Sequence, residues 1–446
     1  MASASSSSSN QAPLSVEYTS KATKLEPDLY PTPPKGLELA QVNVFVRHGE
    51  RTPVGIRMTE PPASLPSSWT FCGEARRFKA AVVGAQNALE ELEVHRIVER
   101  GDGTSKDEEC MLGELTNVGR QSTYQYGRAL RDLYVSKLGF LPSTFSDQDA
   151  AYFRSTNMPR TVETLQEVLH GLYPTEHTAP GLVPKVRVRQ PQDENLMGNS
   201  YICARLKELM IGFEKAAIEK YNPRLAAFNA ELSPYINGNP VQIDGKPRAS
   251  GILDTIRAAK SHGVPVPAVF EDTSIMLPLE EAIVAEWFDG YKHPEVRKLA
   301  MGRLLSDIST RMQKKAEKGD KDPLKIAIHA CHDTSLAGMQ QTLDVFDGRW
   351  PEFTASMTVE LFKDTASSGS SITSFLGLRK PAHYVRFRYQ NRTLKLPMCA
   401  DPKDHYPGSP EMCTLEAFSR RAAELTPKDW MSECKPQQGL KRTNDL

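Results

Sequence analysis

The stretch Val42–Pro53, reading VNVFVRHGERTP, limits what this chain can fold into more than any other. Val42, Val44, Phe45 and Val46 form a short apolar run of the kind that fills a central, doubly covered strand. The run ends abruptly at Arg47, His48, Gly49, Glu50, Arg51, Thr52 and Pro53. In an open α/β sheet, the loop leaving the carboxyl end of a strand is where ligands bind, so the charge stands where a site belongs. Arginine offers a planar fork of donors that matches phosphate oxygens in pairs and does not lose its proton. Arg47 and Arg51 therefore suit a phosphoryl dianion. His48 lies between them, and a histidine can attack phosphorus to form a covalent intermediate. The neighbouring positive charge favours its neutral, nucleophilic form.

A strand followed by RHGERTP resembles the signature of the histidine phosphatase superfamily, in its histidine acid phosphatase branch. Glu50 stands where that branch usually has small or acidic residues. The resemblance implies an α/β fold: a doubly wound sheet core with helices on both faces, plus a mainly helical cap inserted in the chain. It also implies hydrolysis of phosphomonoesters through a phosphohistidine, with no cofactor and no metal.

Two later segments carry the same resemblance. In AYFRSTNMPRT, Ala151 to Thr161, Tyr152 and Phe153 read as a strand end, and a helix bearing Val162, Leu165, Val168 and Leu172 follows. The resemblance makes Arg154 the third phosphate-binding arginine, with Arg160 the alternative. In LKIAIHACHDTSLAGMQQTL, Leu324 to Leu343, a second buried-strand run over Ile326–Ala330 ends at His332 and Asp333, ahead of a helix from Thr334 to Leu343. A helix N-terminus favours anions. The resemblance gives His332 a place in the phosphate pocket and makes Asp333 the general acid that protonates the leaving oxygen. His329, inside the strand, reads as structural.

Between these landmarks, Phe78, Val82, Ala85, Leu89 and Leu92 recur at helical spacing and predict a helix from Arg76 to about Arg100. In Gly113 to Tyr134, Thr116 or Asn117 can cap a helix whose inner face holds Tyr126, Leu130 and Leu133. Mostly helical patterns fill Tyr201–Lys220, Ala249–Ser261, Leu279–Trp287 and Pro294–Lys318. Met357–Phe362 and Tyr384–Tyr389 alternate like antiparallel strands. The expected organisation is an unstructured lead-in over 1–38, an α/β core from 39–175 and 321–446, and a cap over 176–320.

Composition sets the remaining bounds. Apolar residues at 39% and a formal net charge of zero describe an ordinary globular chain with no bulk attraction for nucleic acid. No run approaches the roughly 20 apolar residues that span a bilayer. The Ser- and Pro-rich N-terminus lacks the apolar block of a secretory signal, so the cytoplasm is the expected compartment and the mitochondrion the alternative. Seven cysteines leave at least one thiol unpaired within a monomer. Three of them, Cys399, Cys413 and Cys434, crowd the C-terminal region, and their pairing is open at this level.

A small-molecule phosphomonoester is therefore the expected substrate. Two other functions fit the same start. A phosphoglycerate-mutase-like transfer shares Arg-His-Gly but typically carries a glutamate acid and no Arg-Thr-Pro extension. An inactive binding module would lack one of Arg47, His48, Arg51, Arg154, His332 and Asp333, and all are present.

Overall fold

A computed structural model describes residues 25–74, 77–83, 89–365 and 381–436. Among them the strand that opens the signature, β1 (Leu37–Arg47), lies inside a nine-stranded sheet. On one side it pairs in parallel with β6 (Ile326–Cys331), which pairs with β4 (Ala151–Ser155) and then β5 (Val186–Arg187). On the other side β7 (Ser356–Asp364) is antiparallel, followed by β8 (His383–Tyr389), β11 (Ser409–Thr414) and β10 (His405–Tyr406), with β9 (Arg392–Leu394) against β8. The carboxyl ends of β1, β6 and β4 thus open along one edge.

Alternation along β1 explains its unbroken apolar run. Val42, Val44 and Val46 join a core with Tyr126 and Leu130 of α1 (Asn117–Arg131) and with Leu165 and Val168 of α2 (Pro159–Leu172). Phe45 joins the core on the other face, with Leu304 and Ile308 of α7 (Pro294–Lys318) and Phe418 of α9 (Leu415–Leu425). Each such buried side chain contributes roughly 1.5–3 kcal/mol. A polar residue at any of them would forfeit that on a strand covered from both sides.

The cap helices α3 (Ala204–Leu225), α4 (Asn229–Leu232), α5 (Ala249–Ser261) and α6 (Thr273–Phe288) enclose a separate core that includes Leu225, Ile252, Ile256, Leu279 and Ile283. Two segments expected in the cap pack with the sheet instead. β5 extends the parallel ladder, and α7 buries Val296, Leu304, Leu305 and Ile308 against it. The lead-in also gives way to ordered structure before residue 38. Leu25 and Tyr30 are buried in the sheet core, and the Tyr30 ring lies 4.8 Å from the Arg386 guanidinium. Residues 1–24 lie outside the described residues.

The helix expected from Arg76 to Arg100 is a hairpin of β2 (Arg77–Val83) and β3 (Leu89–His95), with Phe78 opposite Val94 and Ala80 opposite Leu92. Phe78, Ala80 and Val82 recur every second residue while Phe78 and Val82 also fit the helical spacing, and Gly84 interrupts the run, a costly place for glycine in a helix. Arg76 and residues 84–88 lie outside the described residues.

Three disulfides join Cys72 to Cys110, Cys203 to Cys434 and Cys399 to Cys413, and leave Cys331 as a buried free thiol. Among the described residues no helix is long and apolar enough to cross a membrane.

Candidate active site

Parallel pairing of β1 with β6 puts Arg47 level with Cys331, so His48 and His332 leave their strands side by side. Their rings stand 5.7 Å apart between centroids. The His48 backbone N–H donates to the Cys331 carbonyl at 3.0 Å and locks the two strand ends together. His48 Nδ1 lies 3.0 Å from the Gly49 carbonyl oxygen. A carbonyl can only accept, so that contact puts the ring proton on Nδ1 and leaves the Nε2 lone pair free. Burial first, then the charges of Arg47, Arg51 and Arg160, hold the His48 pKa well below 6.5.

His332 is neutral for related reasons. Burial, then Arg160, brings its pKa down to about 3, with Asp333 acting in the opposite sense. Its Nε2 lies 2.9 Å from Thr156 Oγ1, and its backbone N–H donates to Ser335 Oγ at the start of α8 (Asp333–Thr342).

Asp333 Oδ2 meets Arg47 Nη2 at 2.6 Å and accepts from the Trp350 indole N–H at 3.1 Å. Burial disfavours its charge, but Arg47, Arg51 and His332 outweigh burial, and its pKa is lowered. Arg51 is held by Asp254 of α5 at 2.9 Å, and Asp254 also lies 3.5 Å from Arg57. These groups surround a cavity of about 760 Å³ whose walls include His48, Arg51, Arg160, His332 and Asp333. Arg47 faces an adjoining void of about 40 Å³, beside Arg51, Asp254, Asp333 and Trp350.

Arg154 is not among these residues, a correction to the sequence reading. Register places it opposite His329, which is itself level with Phe45, two residues before Arg47. At about 3.3 Å per residue it sits roughly 7 Å short of the strand ends. Its guanidinium is buried against Glu194 at 2.6 Å, with Asp307 of α7 at 3.8 Å. Arg160, in the first turn of α2, lines the cavity instead and forms no ion pair among the described residues. Burial and the neighbouring Arg51 lower its pKa to about 10, so it stays charged in use. The signal was in the sequence: Arg154 lies inside a strand pattern, whereas Pro159-Arg160 opens a helix. His329 stacks on Phe45 at 4.5 Å, a packing role.

Residues 350–355, which carry no motif in the sequence, also reach the site. Pro351 offers its carbonyl to Arg47 Nη1 at 2.7 Å. The Phe353 ring lies 4.3 Å from the Arg47 guanidinium carbon and 5.8 Å from the His48 ring. Thr354 N–H donates to the His48 carbonyl at 3.2 Å. Asp254, Trp350 and Phe353 carry no local pattern that periodicity could detect.

The family described as "Histidine phosphatase superfamily (branch 2)" matches residues 38–390. A Schizosaccharomyces pombe protein named "Probable acid phosphatase" is 34% identical over 444 residues, covering 90% of this chain and 95% of its own length. Mouse lysophosphatidic acid phosphatase type 6 is 25% identical over 338 residues, covering 74% of this chain and 77% of its own. In fold, the chain is similar to Hafnia alvei phytase in its apo form. The TM-score is 0.58 at 19% identity, over 91% of this chain and 100% of that one.

Proposed function

The chain belongs to the histidine phosphatase superfamily, branch 2, and from that premise we propose that His48 is the nucleophile of its phosphomonoester hydrolysis. The enzyme is an acid phosphatase, a phosphoric monoester hydrolase. The observation that carries the proposal is the His48 ring: neutral, its proton held at Nδ1, its Nε2 free beside the cavity. Nε2 attacks phosphorus as the phosphorus–oxygen bond to the alcohol breaks. Arg51, Arg160 and His332 hold the equatorial oxygens, and Arg47 adds charge from behind. Asp333 gives its proton to the departing oxygen. Water then cleaves the phosphohistidine, with Asp333 taking the water's proton, and orthophosphate leaves.

The cavity also supports a preference for monoesters whose alcohol is partly apolar. Val54, Ile211, Trp287 and Tyr201 line it and are exposed, Tyr201 by 86%. Apolar side chains left open to water at a site mouth mark a binding surface. Lysophosphatidate tested against glycerol 3-phosphate checks this, and equal kcat/KM for the two would reject it. The three disulfides further support work in an oxidising compartment rather than the expected cytoplasm. Partition of the endogenous protein between cell fractions tests that point.

For the nucleophile, His48→Ala is expected to abolish turnover of an aryl phosphate. Rapid alkaline quench of the unsubstituted enzyme should recover a base-stable, acid-labile phosphoryl group on His48. Retained turnover in the variant would reject the assignment.

A further inference from the structure

Asp333 is tied down by one ion pair and two hydrogen bonds that arrive from two directions. Arg47 Nη2, at 2.6 Å, and the Trp350 indole N–H, at 3.1 Å, both reach Oδ2. The Thr334 backbone N–H reaches Oδ1 at 2.8 Å. An oxygen that faces a guanidinium at ion-pair distance and also accepts an indole N–H is the one where negative charge is favoured and a proton disfavoured. The acid proton therefore rides on Oδ1. The indole supplies the hydrogen bond at Oδ2, where the Arg47 contact is an ion pair.

Trp350 does not belong to the sheet that carries Arg47. Its backbone N–H donates to Glu280 of α6 at 2.7 Å, and its carbonyl accepts from Arg257 of α5 at 3.2 Å. Arg257 in turn is paired with Glu280 at 3.0 Å. The indole packs against Phe288 at 5.0 Å and edge-on to Trp287 at 5.7 Å, both in the cap segment around α6. The ring is thereby held by the cap while its one polar atom reaches the sheet domain's carboxyl group.

We propose that Trp350 is a positioning residue for the general acid: its indole N–H decides which oxygen of Asp333 carries the proton and ties that oxygen to the cap. This rests on the reading of Asp333 as the acid. The charged and titratable groups facing Asp333 are Arg47 at the end of β1, Arg51 after it, Arg160 on α2, Asp254 and Arg257 on α5, and His332 beside it. The indole is a neutral donor, so its removal changes no charge. Losing a donor to a carboxylate disfavours the ionised form, so the proton is retained to higher pH.

The test uses Trp350→Phe, which keeps an aromatic ring against Phe288 but loses the N–H. With an alkyl phosphate, whose leaving group needs a proton, kcat is expected to fall about ten-fold and the alkaline limb of its pH profile to rise by about one unit. With 2,4-dinitrophenyl phosphate, whose leaving group needs none, kcat should stay within about two-fold. Inhibition by orthophosphate should not change. In an Asp333→Asn background the same substitution should cost less than about two-fold with the alkyl ester. Equal losses on both esters, an unmoved alkaline limb, or the full cost in the Asp333→Asn background would each overturn the proposal. The unsubstituted enzyme gives a reading that does not depend on the variant folding. The Trp350 indole N–H resonance should titrate with Asp333 and cease to titrate in Asp333→Asn; a resonance indifferent to pH overturns it. If Asp333→Asn itself turned over the alkyl ester normally, the assignment of the acid would be what failed.

Discussion

Arg154 and Arg160 belong to one short segment and have opposite surroundings, which makes them a sharp test of the site. Arg154 neutralises buried Glu194, so Arg154→Ala leaves a carboxylate stranded in the interior. Removing one partner of a buried pair costs about 3–5 kcal/mol. The expected result is a large loss of stability in chemical denaturation, with kcat/KM of the folded fraction little changed. Arg160→Ala should do the reverse, costing about 100-fold in kcat/KM, the scale seen when one oxyanion donor is removed, while unfolding near the unsubstituted midpoint. Arg160 also bears on pH. Activity needs neutral His48, whose pKa burial, Arg47, Arg51 and Arg160 together depress below 6.5. As pH falls through 6.5 the ring therefore stays unprotonated, and the acid limb of kcat/KM lies well below that value. Removing the Arg160 charge lets the His48 pKa climb back, so in Arg160→Ala the acid limb should move upward. An unshifted limb would mean that Arg160 does not face His48 in solution.

At the scale of elements, what the sequence made legible was whatever depends on neighbours in the chain. β1, β6 and β4 announced themselves by apolar runs ending in charge, and α1 by its cap, where Thr116 Oγ1 accepts from Gly119 N. β2 and β3 did not, because Phe78, Val82 and Leu92 fit both the helical and the strand period. Residues 350–355 were invisible, since Phe353 matters through contact with Arg47 and His48, some three hundred residues away. One element contact was hidden for a different reason. α1 meets the signature loop at two glycines: a Cβ at Gly49 would come 2.5 Å from the Gly119 carbonyl oxygen, and one at Gly119 would come 2.1 Å from that of Glu50. Both obstacles are backbone, so neither can swing aside. Gly119→Ala should push α1 off the loop, costing about 1–3 kcal/mol of stability and displacing His48. A displacement on the order of 1 Å at a reacting group costs about 100-fold. Steady-state kinetics beside thermal unfolding of the variant would check both. A variant with undiminished kcat would show that the loop is indifferent to the helix beneath it.

For the whole molecule, the question is how a cap inserted between β5 and β6 keeps its alignment with a site built on the sheet. Packing supplies part of the answer, since Leu206 of α3 is buried in the same core as α7 and α9 while Tyr221 and Leu225 further along α3 belong to the cap core. The other part is covalent. Cys203, the residue before α3, is joined to Cys434 across a sequence separation of 231, and the Arg205 backbone N–H donates to the Cys434 carbonyl at 3.0 Å. A cross-link closing so long a loop removes much of the unfolded chain's freedom, about 5 kcal/mol in the chain-entropy account. Cys399–Cys413, separated by 14, closes a short loop within the C-terminal region and contributes about 3 kcal/mol on the same account. Cys434→Ser should therefore lower the melting temperature by more than Cys413→Ser does. It should also raise KM for a bulky ester more than for a small one, because α3 supplies Leu206, Met210 and Ile211 to the cavity wall. Orthophosphate, which needs only the sheet-borne cage and Arg160, should inhibit the Cys434→Ser enzyme as it does the unsubstituted one. If orthophosphate binding weakened in step with the bulky ester, the cap would be holding the cage as well as covering it. The two halves of the site could then not be treated as separable.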